Sequence, residues 1–141
     1  MPNINPFIHF NGNTEDAFTF YKSIFGGEFI NITRFKDLAN AENLFSEKEA
    51  NYIMHIALPI GNNSVLMASD VPEMFGKVNE NENRSKVYIN ADSKEEAENL
   101  YHALSAGGAI EVLFSESQPG SYFGMLRDKY GIEWMVNFSG K

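Results

Sequence analysis

The sequence predicts an α+β chain of two tandem βαβββ modules, on three observations. A segment recurs: Asn13 to Gly27 returns as Ser93 to Gly107, with Glu15, Asp16, Ala17 and Tyr21 answered by Glu95, Glu96, Ala97 and Tyr101 at an offset of eighty (97 minus 17). Each copy is flanked by short apolar stretches of strand character. Each copy also ends in a glycine pair, Gly26 with Gly27 and Gly107 with Gly108, which stops a helix in the left-handed region.

Taken in order, Asn5 to Phe10 reads as a first strand, stopped by Asn11, Gly12 and Asn13. A helix follows from Thr14 to Phe25, with Asn13 as N-cap and Asp16 completing a capping-box-like pair. Ala17, Phe20, Tyr21 and Ile24 fall on one helical face. Glu28 to Phe35 alternates as a strand, and the polar stretch Lys36 to Asn51 reads as a loop or short helix. Tyr52 to Ile60 and Ser64 to Ser69 form a hairpin around Gly61, Asn62 and Asn63. Module one thus spans about 1–70, a linker about 71–85, and module two about 86–141.

The second module has a strand at Lys86 to Ala91, a helix at Lys94 to Ala106 capped by Ser93 with Glu96, and strands at Ile110 to Phe114, Tyr122 to Arg127 and Ile132 to Phe138. Between the last hairpins the repeat offset falls to sixty-eight (135 minus 67), which assigns about twelve extra residues to the middle loop of module one.

Composition bounds the function classes. At 141 residues and 43% apolar content, with twelve phenylalanines, the chain has enough material for one globular core. Its lack of cysteine excludes disulfides, thiolate zinc sites and cysteine nucleophiles. A formal charge of −8 repels phosphate backbones, so no nucleic-acid partner is expected. No apolar run approaches the roughly 20 residues of a spanning helix, and the first five residues lack the basic and apolar regions of a leader. No membrane partner and a cytoplasmic location are the expectations.

The stretches Phe10 to Glu28, Leu66 to Asp70 and Asp128 to Phe138, set in this repeat order, resemble the glyoxalase, bleomycin-resistance and extradiol-dioxygenase (vicinal oxygen chelate) superfamily, PhnB-like branch. The resemblance implies curled mixed sheets around a central cavity, with helices outside, and a homodimer. Metal-dependent members hold their ion with one residue on the first and last strand of each module. Registered on the helix starts and on the Asp128 to Gly131 turn, those places fall on Pro6, Met67, Lys86 and Met135. Proline has no donor, thioethers are too soft for such an ion, and an ammonium repels it, so no metal and no other cofactor are expected. A one-residue error would reverse a strand's face, and a two-residue error would substitute Ile8, Ser69, Tyr88, Asn90 or Glu133. PhnB-like proteins sometimes carry a ubiquinone-pathway methyltransferase label. Here the glycine pairs follow helices instead of opening them, so they cradle no cofactor phosphate.

The same alternation puts Pro6, Ile8 and Phe10 on the cavity face and turns His9 toward the helix layer. His55 is expected on the cavity face, because Ile56 and Leu58 suit the helix-facing core; His102 reads as a surface residue. In module two the cavity face collects Lys86, Tyr88, Asn90, Glu133, Met135 and Asn137, with Lys86 and Glu133 able to neutralise each other. Asp70 and Asp128 read as strand-end and turn residues. The expected ligand cavity is Pro6, Ile8, His55, Met67, Ser69, Lys86, Tyr88, Asn90, Glu133 and Met135, holding a small organic molecule. Two alternatives stay open: a lyase, isomerase or dioxygenase with His55 or Glu133 as general base, and a protein-interaction module.

Overall fold

The computed structural model describes residues 5–37, 45–72 and 86–140. It divides into two compact units, Met1–Val78 and Asn79–Lys141. The expected linker lies outside the described residues apart from Val71 and Pro72, as does 38–44 of the polar loop.

The first unit runs β1 (Phe7–Phe10), α1 (Thr14–Phe25), β2 (Asn31–Arg34), a 3₁₀ turn (Phe35–Asp37), α2 (Glu47–Ala50), β3 (Ile53–Ile60) and β4 (Ser64–Asp70). Its sheet has the order β1-β4-β3-β2, with β1 parallel to β4 and the other pairs antiparallel. One face carries the buried residues Ile8, Phe10, Ile56, Leu58, Leu66 and Ala68. Helix α1 packs on β3 and β4 and buries Thr14, Ala17, Phe18 and Tyr21, an i, i+3, i+4, i+7 stripe. Phe18 replaces the expected Phe20 and Ile24 at its centre, meeting Phe10 edge to face at 6.4 Å.

The start of α1 also differs from expectation. Asn13 makes no side-chain cap bond. Instead Asp70, at the end of β4 and only 3% exposed, accepts hydrogen bonds through Oδ1 from the amides of Gly12 (2.9 Å) and Thr14 (3.0 Å) and the Thr14 hydroxyl (2.6 Å). Its Oδ2 accepts from the Ile53 amide at 2.8 Å. One buried carboxylate thereby ties β4 to the β1–α1 connection and to the start of β3.

The second unit repeats the plan as β5 (Lys86–Asn90), α3 (Lys94–Ser105), β6 (Ala109–Gln118), β7 (Ser121–Arg127) and β8 (Glu133–Phe138), in sheet order β5-β8-β7-β6. Ser93 caps α3 as expected, accepting from the Glu96 amide at 3.0 Å, while Glu96 reaches back to the Asp92 amide at 2.8 Å. Helix α3 buries Ala97, Tyr101 and Leu104 over a sheet face holding Leu126, Trp134 and Val136. Asp128 holds the last turn: its carboxylate accepts from the amides of Tyr130 and Ile132 and from the Trp134 indole. Strand β6 runs past the expected Phe114, because the polar stretch after it stays paired with β7 up to Gln118 opposite Ser121. Together the two units form two four-stranded mixed sheets with three helices, the α+β arrangement expected of tandem βαβββ modules.

Candidate functional site

Each sheet has a helix-packed face and a second face, and strand parity decides which residues reach the second. In module one Phe7 pairs with Met67 and His9 with Ser69, while Ile8 and Phe10 are buried on the helix side. The expected parity of β1 is therefore inverted. Ile8 belongs to the helix-packed core, and His9 occupies the second face, where its Nδ1 lies 3.1 Å from the Ser69 hydroxyl. The physical reason is one residue of connector. Phe7 faces Met67 as Tyr88 faces Met135, an offset of eighty-one on the first strands (88 minus 7) against eighty on the helix starts. The extra residue lies between β1 and α1, where Gly12 turns with φ +109°.

His55 does fall opposite the core parity, with Ile56 and Leu58 buried beside it. The Phe7 ring sits 5.4 Å from His9 and 5.9 Å from His55, so two imidazoles flank one aromatic ring that is 44% exposed. Met67 and Ser69 line the same face. Pro6 is exposed, and its carbonyl accepts from the Met67 amide.

In module two Lys86, Tyr88 and Asn90 stand opposite Glu133, Met135 and Asn137; all six share the face turned away from α3. Glu133 is only 4% exposed and Tyr88 56%. Lys86 Nζ meets Glu133 Oε2 at 3.0 Å, and Arg127 Nη2 approaches the same oxygen at 3.5 Å. Arg127 Nε in turn lies 3.8 Å from Glu111 Oε2. Burial pushes the Glu133 carboxyl up, but the hydrogen bonds from Lys86 and Glu111 and the nearby cations hold it below the usual carboxylate range. Glu111 goes the other way: burial, the hydrogen bond to Glu133 and that neighbour's charge hold its carboxyl above the usual range.

Arg127 and Glu111 were not among the expected site residues. Arg127 was within reach of sequence reasoning, since it alternates with Phe123 and Met125 on β7 and stands opposite Glu133. Glu111 was not, because a register shift between Ile110 and Val112 sets its direction, and such bulges re-aim single side chains.

The model of the family described as 3-demethylubiquinone-9 3-methyltransferase matches residues 2–137. The chain belongs to this PhnB-like, glyoxalase-fold family. Protein PA1353 from Pseudomonas aeruginosa is similar at 31% identity and a TM-score of 0.83, with 100% of both chains covered. The PhnB protein from Bacillus cereus is similar at 27% identity and TM-score 0.72, over 98% of this chain and 100% of that one. Protein YjdN of Escherichia coli K12 is 27% identical over 97% of this chain and 95% of its own length. A glyoxalase/bleomycin resistance protein/dioxygenase family enzyme from Burkholderia phytofirmans shares the fold at 17% identity and TM-score 0.60, over 94% of this chain and 95% of that one.

Two groups implied by this PhnB-like membership can be tested against the residues present. For the divalent ion, neither Pro6, which the corrected parity removes from this face, nor Phe7, which replaces it opposite Met67, has a donor; Met67, Lys86 and Met135 add no donor set, and among the described residues no three His, Cys, Asp or Glu side chains group as ligands would. For a nucleotide-type methyl donor, the amides at a helix N-terminus are the usual anchor of its anionic groups. Here Asp70 takes the Thr14 amide at the start of α1, Ser93 takes that of Glu96 in α3, and both first turns are acidic, with Glu15 and Asp16 and with Glu95 and Glu96, which repels an anion. The residues fit neither group.

Proposed function

We propose that this PhnB-like protein binds a small organic molecule on the face of the second-module sheet that carries Lys86, Tyr88, Asn90, Glu133, Met135 and Asn137, without a metal or organic cofactor. The observation that carries the reading is the Lys86, Arg127 and Glu133 cluster: charged groups gathered on a sheet face and paired with each other, Arg127 also donating to the Gly131 carbonyl, beside an exposed aromatic ring. A face that served packing alone would be aliphatic there. The surface formed by Phe7, His9, His55, Met67 and Ser69 in the first module is proposed as a second binding surface, suited to planar groups by its aromatic and imidazole rings.

The test is amide chemical-shift mapping of the full chain against a panel of small acids, amines and neutral aromatics. Saturable shifts on β5 and β8, unchanged by EDTA and lost in Lys86→Met, are expected; no saturable shift on either strand with any member refutes the proposal. A general base at Glu133 is disfavoured by its two cationic neighbours, which outweigh burial and weaken it as a proton acceptor.

A homodimer and a cytoplasmic location complete the proposal. Ile110, Val112 and Leu113 are exposed on the edge strand β6, an apolar strip that a second copy would cover. Light scattering and cell fractionation test these two points.

A further inference from the structure

Glu133 is held asymmetrically. Both cations, Lys86 and Arg127, approach its Oε2, while its Oε1 is buried and receives no N–H donor. An ionised oxygen left this way is costly, and native folds rarely keep one. The remaining polar group of the cluster is the Glu111 carboxyl, which lies against the same Arg127 guanidinium as Glu133 and is aimed onto this face by the β6 bulge. Two carboxylates repel each other. A carboxyl and a carboxylate attract, through one strong O–H···O bond.

We infer that Glu111 and Glu133 share one proton, the Glu111 O–H donating to Glu133 Oε1, and that the cluster is a binding site for the anionic group of a small organic acid. The charge count gives the ligand class. Lys86 and Arg127 contribute two positive charges and the proton-sharing pair one negative, so the face carries a single net positive charge on a chain whose formal charge is −8. Lys86 Nζ has three donors and gives one to Glu133, which leaves donors for a carboxylate. Tyr88, two residues on along β5 and exposed, offers its ring to the apolar part of the ligand.

The facing charged groups are Lys86 from β5, Glu111 from β6, Arg127 from β7 and Glu133 from β8; α3 packs on the opposite face, where Asp128 bonds Trp134. The opposite directions of the two carboxyl groups agree with one shared proton kept on Glu111. When that proton leaves, the cluster becomes neutral and its pull on an anion falls.

The ligand class rests on the binding proposed above; the proton-sharing pair does not, and the experiment separates them. Carboxyl carbon NMR titration of the unliganded full chain reads the pair. One carboxyl titrating above the ordinary range in wild type, lost in Glu111→Gln and returned toward the ordinary range in Glu133→Gln, is expected. Independent titration of both in the ordinary range overturns the inference. Should Glu133→Gln not fold, Lys86→Met is the second variant, expected to raise the Glu133 titration while both carboxyls remain. Benzoate then reads the site, its affinity referred at each pH to the ionised form. Its affinity should fall severalfold as pH rises through the Glu111 titration, and should be flat in Glu111→Gln. Equal affinity across that range in wild type overturns the proton link to binding. No benzoate binding at any pH overturns the assignment to an organic acid, whatever the titration shows.

Discussion

Asp70 is the residue whose loss should cost module one most for its size. Its carboxylate accepts four hydrogen bonds, three from backbone amides (Gly12, Thr14 and Ile53) and one from the Thr14 hydroxyl, and it is 3% exposed. In Asp70→Ala the three amides lose their acceptor in a place that water enters poorly. At about 1 kcal/mol for each orphaned amide, the low end of the range, the loss is at least ~3 kcal/mol, or roughly 10 °C in the melting temperature of a chain this size. Asp70→Asn separates the two oxygens. The amide oxygen can keep the three bonds at the Oδ1 position, but its NH₂ then faces the Ile53 N–H, which leaves one buried donor unpaired at about 1–2 kcal/mol. The assay is urea unfolding followed by circular dichroism, with slopes compared among wild type and the two variants. A loss below about 1 kcal/mol in Asp70→Ala, or equal losses in both variants, refutes the hub argument.

The other predictions test separate parts of the fold and site. Glu111 is held above its ordinary range, so its favourable contribution is complete below its unfolded value and is lost as pH rises through its folded value; Glu133, held below, contributes above its unfolded value and loses that as pH falls through its lowered one. The melting temperature of Glu111→Gln should therefore gain on wild type as pH rises from the ordinary glutamate range through the raised Glu111 titration, and a constant difference across that range would count against the pair. Gly108→Ala places a Cβ against the Arg127 carbonyl and should cost roughly 3 kcal/mol in urea unfolding. Gly61→Ala meets nothing within 4 Å and should cost only the positive-φ penalty of about 1 kcal/mol; similar losses in the two would show that space is not the cause at Gly108. Protein prepared without chelators or a histidine tag should melt at the same temperature with and without Mn, Fe, Ni, Co or Zn, whereas stoichiometric metal with a large shift would overturn the ligand-place argument.

Much of the fold was legible because the duplication carries its own punctuation: Ser93 with Glu96, the glycine pairs, and the alternation of Lys86, Val87, Tyr88, Ile89 and Asn90. That clean alternation is why the polar face of module two was placed correctly. Strand β1 has only four residues, and three of them are rings on both faces, so its parity had to be borrowed from the helix start. The borrowed offset was one residue short, and a one-residue slip exchanges the two faces. That slip hid His9 and promoted Ile8. The cap of α1 was illegible for a different reason: Asn13 is a good local cap residue, but a carboxylate fifty-six positions away (70 minus 14) supplies the acceptor. Tertiary contacts of that reach leave no local signal.

The two helices thus differ in what they need before they can form. The cap of α3 lies within its own first turn, so this helix can nucleate from local sequence, at the short loop lengths that favour fast folding. Helix α1 receives its acceptor only when the last strand of its module has arrived. The duplicated plan is therefore expected to fold in two different orders: helix first in the C-terminal half, and helix together with sheet in the N-terminal half. Asp70→Ala should accordingly slow the folding of module one as well as weaken it, and stopped-flow refolding that shows only faster unfolding would contradict this order.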